Sequence, residues 1–342
     1  MEILSERNKA VLQSIITNYI REALPVSSGV VAAKHAAGLS SATIRNIMAE
    51  LEDLGYLKQP HTSAGRIPTD KGFRFYIDSI MKLKELPFLE KEKIRSSYHI
   101  GDIAGGDMES VMKETSSILS ALSMCIGVVL APRFDNIIVK HIEFIKTNSR
   151  QIMVVLVSEA GIVQTKIIHI DDDITQPVLA RLSEYLNNIA NGITLRELRA
   201  RVIKEMRKEK RLYDKLMKKV LLISDADIYV DGRANILSQP EFIKDMERMK
   251  DIFEAFEKKS VIVKFLDRAI ETKGMQIFIG SEDEYNEIKG LSLVTATYGK
   301  DVCTMGTIGV AGPIRMDYSR IIPIVDYTAK LLSSVLTEKK GN

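Results

Sequence analysis

The feature that most constrains this chain is a helix that stops at Gly55 and passes at once into a short hairpin. SSATIRNIMAELEDLG (40–55) opens on serines suited to capping, repeats apolar residues every three or four positions, and ends on the glycine. YLKQ (56–59) and RIP (66–68) then have the character of two short strands around a polar tip. The pattern therefore predicts a β-hairpin directly after a helix.

Two further helical patterns precede this one. Residues 5–22 place apolar side chains at helical spacing after Ser5, a suitable N-cap, and SSGVVAAKHAA (27–37) forms a second short pattern that ends at Gly38. Three short helices, with a tight turn before the third and a hairpin after it, predict a winged helix-turn-helix. In that arrangement the third helix enters the major groove of DNA.

The third helix presents a second face beside its apolar stripe. Ala42, Arg45, Asn46 and Ala49 recur at i, i+3, i+4 and i+7. The alanines allow close approach, and arginine and asparagine pair bidentately with guanine and adenine edges. The acids are confined to the C-terminal half, so the first turn offers backbone amides to phosphate; its candidate DNA contacts are Ser40, Ser41 and Thr43. The alternative is an ordinary solvated face on a core helix.

The polar tip is predicted to be a wing that contacts DNA. This projecting loop carries side chains that can contact DNA phosphates or a groove, namely His61, Thr62, Ser63 and Arg66. Gly65 can either adopt a positive φ or let the backbone approach a partner closely. The alternative is a plain hairpin turn with no part in recognition.

Four strings of the chain resemble the heat-inducible transcription repressor family, HrcA. The strings are LSSATIRNIMAELEDLGYLKQPHTSAGRIPTDKGFRFYIDSI (39–80), ANILSQPEF (234–242), SLVTATYG (292–299) and GTIGVAGPIRMDYSRIIPIVDY (306–327). The resemblance implies a dimeric bacterial repressor that binds an inverted repeat of double-stranded DNA before chaperone operons and is kept active by the chaperonin. Where many family members carry arginine and proline, this chain has Gly29 and Ser41. The first difference removes one possible phosphate contact, whereas serine also suits a helix start.

The resemblance also implies an α+β architecture: an N-terminal winged helix-turn-helix domain, a GAF-like α/β domain with an antiparallel sheet, and an inserted dimerisation domain. Lys34 joins the wing as an expected phosphate contact. The expected domains are a DNA-binding domain with its linker helix, a first GAF-like part, the insertion and a second GAF-like part, at residues 1–86, 87–192, 193–272 and 273–342.

The patterns after the hairpin agree with this division. Residues 69–84 form a helical pattern whose aromatic side chains favour packing over base stacking. A second helical pattern at 107–123 precedes strand-like runs at 126–131, 137–145, 151–157, 161–170, 275–280, 291–298 and 305–311, and a last helix covers 319–337. Together they predict one antiparallel sheet flanked by helices and interrupted by an insertion.

The insertion is highly charged. RELRARVIKEMRKEKRLYDKLMKKVL (196–221) is predicted to be a basic helix with an apolar stripe at Leu198, Val202, Leu212, Leu216 and Val220. We interpret the stripe, together with residues 242–256, as a dimer-packing surface; a second nucleic-acid surface is the alternative.

Composition excludes several other classes of protein. The net charge of +3 is compatible with a polyanionic partner. The longest apolar runs are strand-sized, which predicts no membrane partner. Two distant cysteines indicate a reducing cytoplasm. The glycine-rich GTIGVAGP (306–313) matches no phosphate-binding spacing, and the acids at 171–173 lack further ligands, so we predict no cofactor, no metal and no enzymatic activity. The alternative function is a metabolite-gated winged-helix regulator with a small-molecule site in the GAF-like domain.

Overall fold

The fold is seen in a computed structural model, which describes most of the chain. The described residues are 4–34, 39–61, 64–98, 108–132, 138–159, 161, 163–169, 174–190, 192–206, 228–237, 239–240, 266, 268–270, 272, 274–280, 290–300 and 303–337.

Residues 4–80, the N-terminal unit, begin with three helices: α1 (Glu6–Glu22), α2 (Ser28–Lys34) and α3 (Ser41–Asp53). The side chain of Ser5 accepts a hydrogen bond from the backbone amide of Asn8, as the capping pattern predicted. The helices share one apolar cluster, in which the fully buried residues of α1 meet those of α3: Val11, Leu12, Ile15, Ile16, Ile44 and Leu51. Burial of each such side chain stabilises the unit by roughly 1.5–3 kcal/mol.

The end of α3 sets the position of the hairpin. Gly55 has a φ of 77°, and the amide of Tyr56 donates to the carbonyl of Leu51 at 2.9 Å, which closes the helix. Strand β1 (Leu57–Lys58) then pairs antiparallel with β2 (Ile67–Pro68). The predicted hairpin is therefore confirmed, and we call residues 57–68 the wing.

The helix that follows the wing is shorter than predicted. It comprises α4 (Asp70–Phe75) and one π-helical turn, Tyr76–Ile80, and it stops four residues before the expected end at 84. Met81 is already extended. The backbone amide of Lys84 donates to the carbonyl of Ser319 instead of continuing the helix. A tertiary contact therefore sets this boundary.

Among the described residues, the largest sheet has five strands and is antiparallel throughout, in the order β7–β3–β10–β9–β8. Its strands are β3 (Ile126–Leu130), β7 (Ile228–Asp231), β8 (Met275–Ile279), β9 (Leu291–Lys300) and β10 (Cys303–Pro313). The helices around it are α5 (Phe88–Ser97), α6 (Met108–Ser123), α9 (Arg233–Leu237) and the C-terminal helix (Tyr318–Thr337). A side chain at Gly127 would lie 2.0 Å from the carbonyl oxygen of Ser116, so glycine lets α6 lie directly on β3.

The remaining strands form a second sheet, so the prediction of one interrupted sheet is wrong. β4 (Val139–Asn148), β5 (Gln151–Ser158) and β6 (Val163–His169) pair antiparallel with each other, and α7 (Gln176–Ala190) covers one face. These strands follow one another closely in the chain, so their backbone amides and carbonyls pair with strands that are neighbours in sequence. We call this the three-stranded sheet.

The segment predicted as the insertion contributes one strand to the five-stranded sheet. Of the basic helix predicted over 196–221, the structure describes α8 (Leu195–Met206); the rest of that helix and residues 242–256 lie outside the described residues. β7 falls in the same segment yet pairs with β3. Across the described parts of the chain, no helix is both long and apolar enough to cross a membrane.

Candidate nucleic-acid interface

The predicted reading face of α3 is open to solvent. Ala42, Arg45, Asn46 and Ala49 are all exposed, whereas Ile44 and its apolar neighbours on the opposite side are buried against α1. The burial of one stripe fixes the rotation of the helix, and so it fixes which side chains point outward. The face is therefore rigidly presented rather than free to turn.

The first turn of α3 is capped within the chain. The Ser40 hydroxyl accepts from the backbone amide of Thr43 at 3.1 Å and lies 2.9 Å from the Thr43 hydroxyl. Ser41 Oγ lies 3.0 Å from Ser28 Oγ, which ties the start of α3 to α2. The first turn carries no acid, so the amides of Ser41 and Ala42, which precede the first intrahelical bond, face an uncharged surface.

Acidic side chains on the C-terminal half of α3 are held by neighbouring elements. The Asn8 side-chain amide donates to Glu50 Oε1 at 2.9 Å. Glu52 Oε2 accepts from Arg66 Nε at 2.7 Å, and both side chains are less than one-third exposed. Sequence reasoning identified Arg66 but missed its acidic partner, because the pair joins two elements that come together only in the fold.

The root of the wing explains why position 65 is glycine. The backbones of Val26 and Arg66 exchange two hydrogen bonds, of 2.9 and 2.8 Å. A Cβ on Gly65 would lie 2.4 Å from the carbonyl carbon and oxygen of Val26. Gly65 is not among the positive-φ residues of the described backbone, so the first predicted reason does not apply, and an approach to a partner stays a prediction. The backbone that it approaches belongs to its own chain.

The tip itself is partly described. His61 is exposed, its carbonyl accepts from the amide of Ala64 at 2.9 Å, and Gln59 donates to the Ala64 carbonyl at 3.0 Å. Lys58 on β1 is also exposed, and it adds a cation that was not among the predicted DNA contacts. Thr62 and Ser63 lie outside the described residues, and Lys34 is described only as the last residue of α2.

Comparison with known proteins identifies the family. A family model described as the HrcA protein C terminal domain matches residues 109–322. The chain is 47% identical over 343 residues to the heat-inducible transcription repressor HrcA of Geobacter sulfurreducens, covering 98% of this chain and 99% of that protein. The chain belongs to the HrcA family of heat-inducible transcription repressors.

A second relative supports the family, and a solved structure supports the fold. The HrcA repressor of Syntrophobacter fumaroxidans is 43% identical over 348 residues, covering 99% of each chain. A crystal structure of a hypothetical protein matches with a TM-score of 0.64 at 24% identity, covering 99% of this chain and 100% of its own, which supports the fold.

Members of this family are transcription repressors, in agreement with the prediction that the chain is not an enzyme. Burial raises the pKa of the Cys125 thiol to about 12, so this cysteine stays protonated and is a poor nucleophile. The described residues contain no group of three or more side chains able to hold a metal ion, and the acids at 171–173 are not among them. The glycine-rich run at 306–313 forms part of β10.

Proposed function

We propose that this repressor binds double-stranded DNA as a homodimer at an inverted repeat before chaperone operons in the cytoplasm. The observation that carries the proposal is the exposed face of α3, which presents Arg45 and Asn46 between two alanines on a helix whose other side is anchored in the core. A helix presented in this way can enter the major groove with its polar face toward the bases. Arginine and asparagine then discriminate guanine and adenine by paired hydrogen bonds.

The test of base reading compares Arg45→Ala with wild type on the operator and on random DNA. A bidentate contact discriminates by about 1–3 kcal/mol, so the variant loses about that much on the operator and far less on random sequence. Fluorescence anisotropy at fixed salt measures both affinities. Equal losses on the two DNAs would mean that Arg45 only holds phosphate. A footprint on the promoters of the chaperone operons locates the operator itself.

The wing supplies the second contact of each half-site in this proposal. His61 stands at the exposed tip, and Arg66 lies at the root, where Glu52 holds it in the absence of DNA. Binding therefore requires Arg66 to exchange a carboxylate for a phosphate. Because both side chains keep some contact with solvent, the guanidinium can exchange one oxygen partner for another without full burial.

An apolar face of the three-stranded sheet supports the proposal of a dimer. Val163 and Ile167 on β6 are 56% and 57% exposed. In the register of the sheet, Met153 pairs with Ile145 on one side and with Ile167 on the other, so one apolar row crosses all three strands. A second copy would cover such a face.

The stripe on α8 is a weaker candidate for the same role. Leu198 and Val202 are 1% and 3% exposed, packed within their own chain. Its remaining members, Leu212, Leu216 and Val220, lie outside the described residues, as do residues 242–256. The dimer surface is therefore proposed on the three-stranded sheet, next to the expected insertion.

Control by heat and chaperonin completes the proposal and depends mainly on the family. Operator binding follows the population of folded dimer, heat lowers that population, and free chaperonin restores it. Mixing heat-treated repressor with chaperonin and nucleotide should recover operator binding. Recovery that is equally fast without chaperonin, at a temperature where the repressor is marginally stable, would contradict this mechanism.

The five-stranded sheet and its helices correspond to the GAF-like domain in this proposal. The alternative is a metabolite site inside it, where Tyr298 fills only part of the space between α6 and the sheet. Its hydroxyl donates to the carbonyl of Leu130 at 2.7 Å, and the side chain is 1% exposed. A metabolite that raises the melting temperature of the purified protein would revive the alternative.

A further inference from the structure

The segment GPIRMDYSR (312–320) joins the last strand of the five-stranded sheet to the C-terminal helix. It is among the strings that carry the family resemblance, and neither the reading face nor the wing contains any of it. Several of its side chains reach across to the N-terminal unit or to the chain that links this unit to the sheet. We call this set of contacts the joint.

Arg315 is the member of the joint that reaches α1. Its Nη1 donates to the backbone carbonyl of Ile20 at 3.0 Å, and its Nη2 donates to Gln239 Oε1 at 2.8 Å. Ile20 belongs to the last turn of α1, where carbonyls lack an intrahelical donor and a positive charge complements the helix dipole. One partly buried guanidinium therefore ties the N-terminal unit to two other parts of the molecule.

A second set of contacts holds the other side of the N-terminal unit. The rings of Phe73 on α4 and Tyr318 lie 6.2 Å apart, and the Tyr318 hydroxyl donates to Ser292 Oγ on β9 at 2.8 Å. Arg74 Nη2 donates to the carbonyl of Ile277 on β8 at 2.6 Å. Because α1 and α4 are held at separate points, the unit resists rotation as well as translation.

The linker after the π-helical turn is fastened too. Lys84 Nζ lies 3.1 Å from Asp317 Oδ2, and the backbone amide of Lys84 donates to the carbonyl of Ser319 at 3.2 Å. The connection between the two parts of the molecule is therefore fastened at Lys84.

We propose that Arg315 is a positioning residue for operator recognition, which fixes the orientation of each N-terminal unit and so sets the half-site spacing that the dimer accepts. The inference rests on the proposed dimeric function. One added base pair moves a half-site by about 3.4 Å and rotates it by about 35°. A rigidly held reading helix cannot follow that displacement, whereas a released one can.

The experiment measures affinity against spacer length with the full-length protein. Fluorescence anisotropy gives the dissociation constants for the operator, for operators with one base pair added or removed between the half-sites, and for a single half-site. Arg315→Ala is compared with wild type and with Arg320→Ala. Arg320 is a matched control because it pairs at 2.7 Å with Glu90 on α5, which is not part of the N-terminal unit.

Wild type and Arg320→Ala should lose about tenfold or more in operator affinity for each change of spacer, since the second half-site then binds without its gain in effective concentration. Arg315→Ala should lose less than about threefold in operator affinity across the same series, and its affinity for a single half-site should be unchanged. A merely structural role would lower half-site affinity or melting temperature without flattening the spacing profile. Lys84→Ala, a milder change at a side chain that is 64% exposed, should flatten the profile partly.

The outcomes separate this inference from the proposed function. A wild-type protein that binds the full operator no more tightly than a half-site overturns the dimeric function, and the inference with it. Cooperative binding by wild type together with an unaltered spacing profile in both Arg315→Ala and Lys84→Ala overturns the inference alone. A loss of half-site affinity in Arg315→Ala that accounts for its whole defect does the same.

Discussion

Replacing Gly65 with alanine should open the root of the wing. The new Cβ would lie 2.4 Å from the carbonyl carbon and oxygen of Val26, and backbone atoms cannot rotate aside as a side chain can. The strand must therefore move. That movement lengthens the two hydrogen bonds, now 2.9 and 2.8 Å, that Val26 and Arg66 exchange.

The magnitude follows from these two effects. Overpacking of this kind costs about 1–3 kcal/mol. Each lost hydrogen bond costs about 0.5–1.5 kcal/mol. The two effects overlap, because the shift that relieves the clash is the one that breaks the bonds. We expect a loss of about 2 kcal/mol in local stability, about a thirtyfold increase in the open population of the wing.

Hydrogen exchange followed by mass spectrometry is the direct assay, with peptides that cover residues 24–28 and 64–68. Gly29→Ala is the matched control, since the nearest atom to its new Cβ is Ser27 Oγ at 3.9 Å. Gly29 lies within α2, so alanine there should stabilise the helix by up to about 1 kcal/mol. Unchanged exchange in Gly65→Ala, with an unchanged melting temperature, would refute the reasoning.

Three further predictions concern charge and assembly. Arg66→Ala should reduce the salt dependence of DNA affinity by about one unit of slope, and Glu52→Gln, which frees Arg66, should strengthen binding to every sequence; an unchanged slope would remove the wing from the interface. Ile167→Asp should yield monomers in analytical ultracentrifugation. Leu89→Asp, which changes a leucine on α5 that is 80% exposed, should stay dimeric. A dimeric Ile167→Asp variant would place the interface on another surface. Burial alone would raise the pKa of Asp317, but hydrogen bonds from Ser319 and Lys84 bring this pKa below the ordinary 3.8. The stability that the charged carboxylate contributes is therefore present above pH 3.8 and is lost as the pH falls below that value. The Asp317→Asn variant should lack this part of the acid dependence of the melting temperature.

The parts of the fold that sequence predicted correctly are those with local causes. α1 begins after Ser5, and α3 begins after Ser40 and ends just before Gly55, as these capping residues require. The exposed face of α3 follows from the same periodicity, because the side that buries Ile44 determines the side that shows Arg45. The prediction of this face needed no knowledge of the remaining chain.

The parts that sequence missed depend on partners distant in the chain. Strand pairing decides between one sheet and two, and β7 is four residues long with a partner about 100 residues earlier. The helix α5 was not predicted because Ile94 is its buried apolar residue, which is too little to give a periodic pattern. The pairing of Arg66 with Glu52 has the same origin, since many acids in the N-terminal unit were equally available by sequence. Roles in DNA binding stay predictions for every candidate residue.

The contact between Arg74 and the carbonyl of Ile277 has a consequence for the aggregation of this protein. In the described sheet, β8 is an edge strand, and open edges invite pairing with other chains. The N-terminal unit therefore shields this edge as long as it stays docked. A repressor that loses this docking on heating would expose the strand to aggregation, and a fragment prepared without residues 4–80 would carry the same liability from the start.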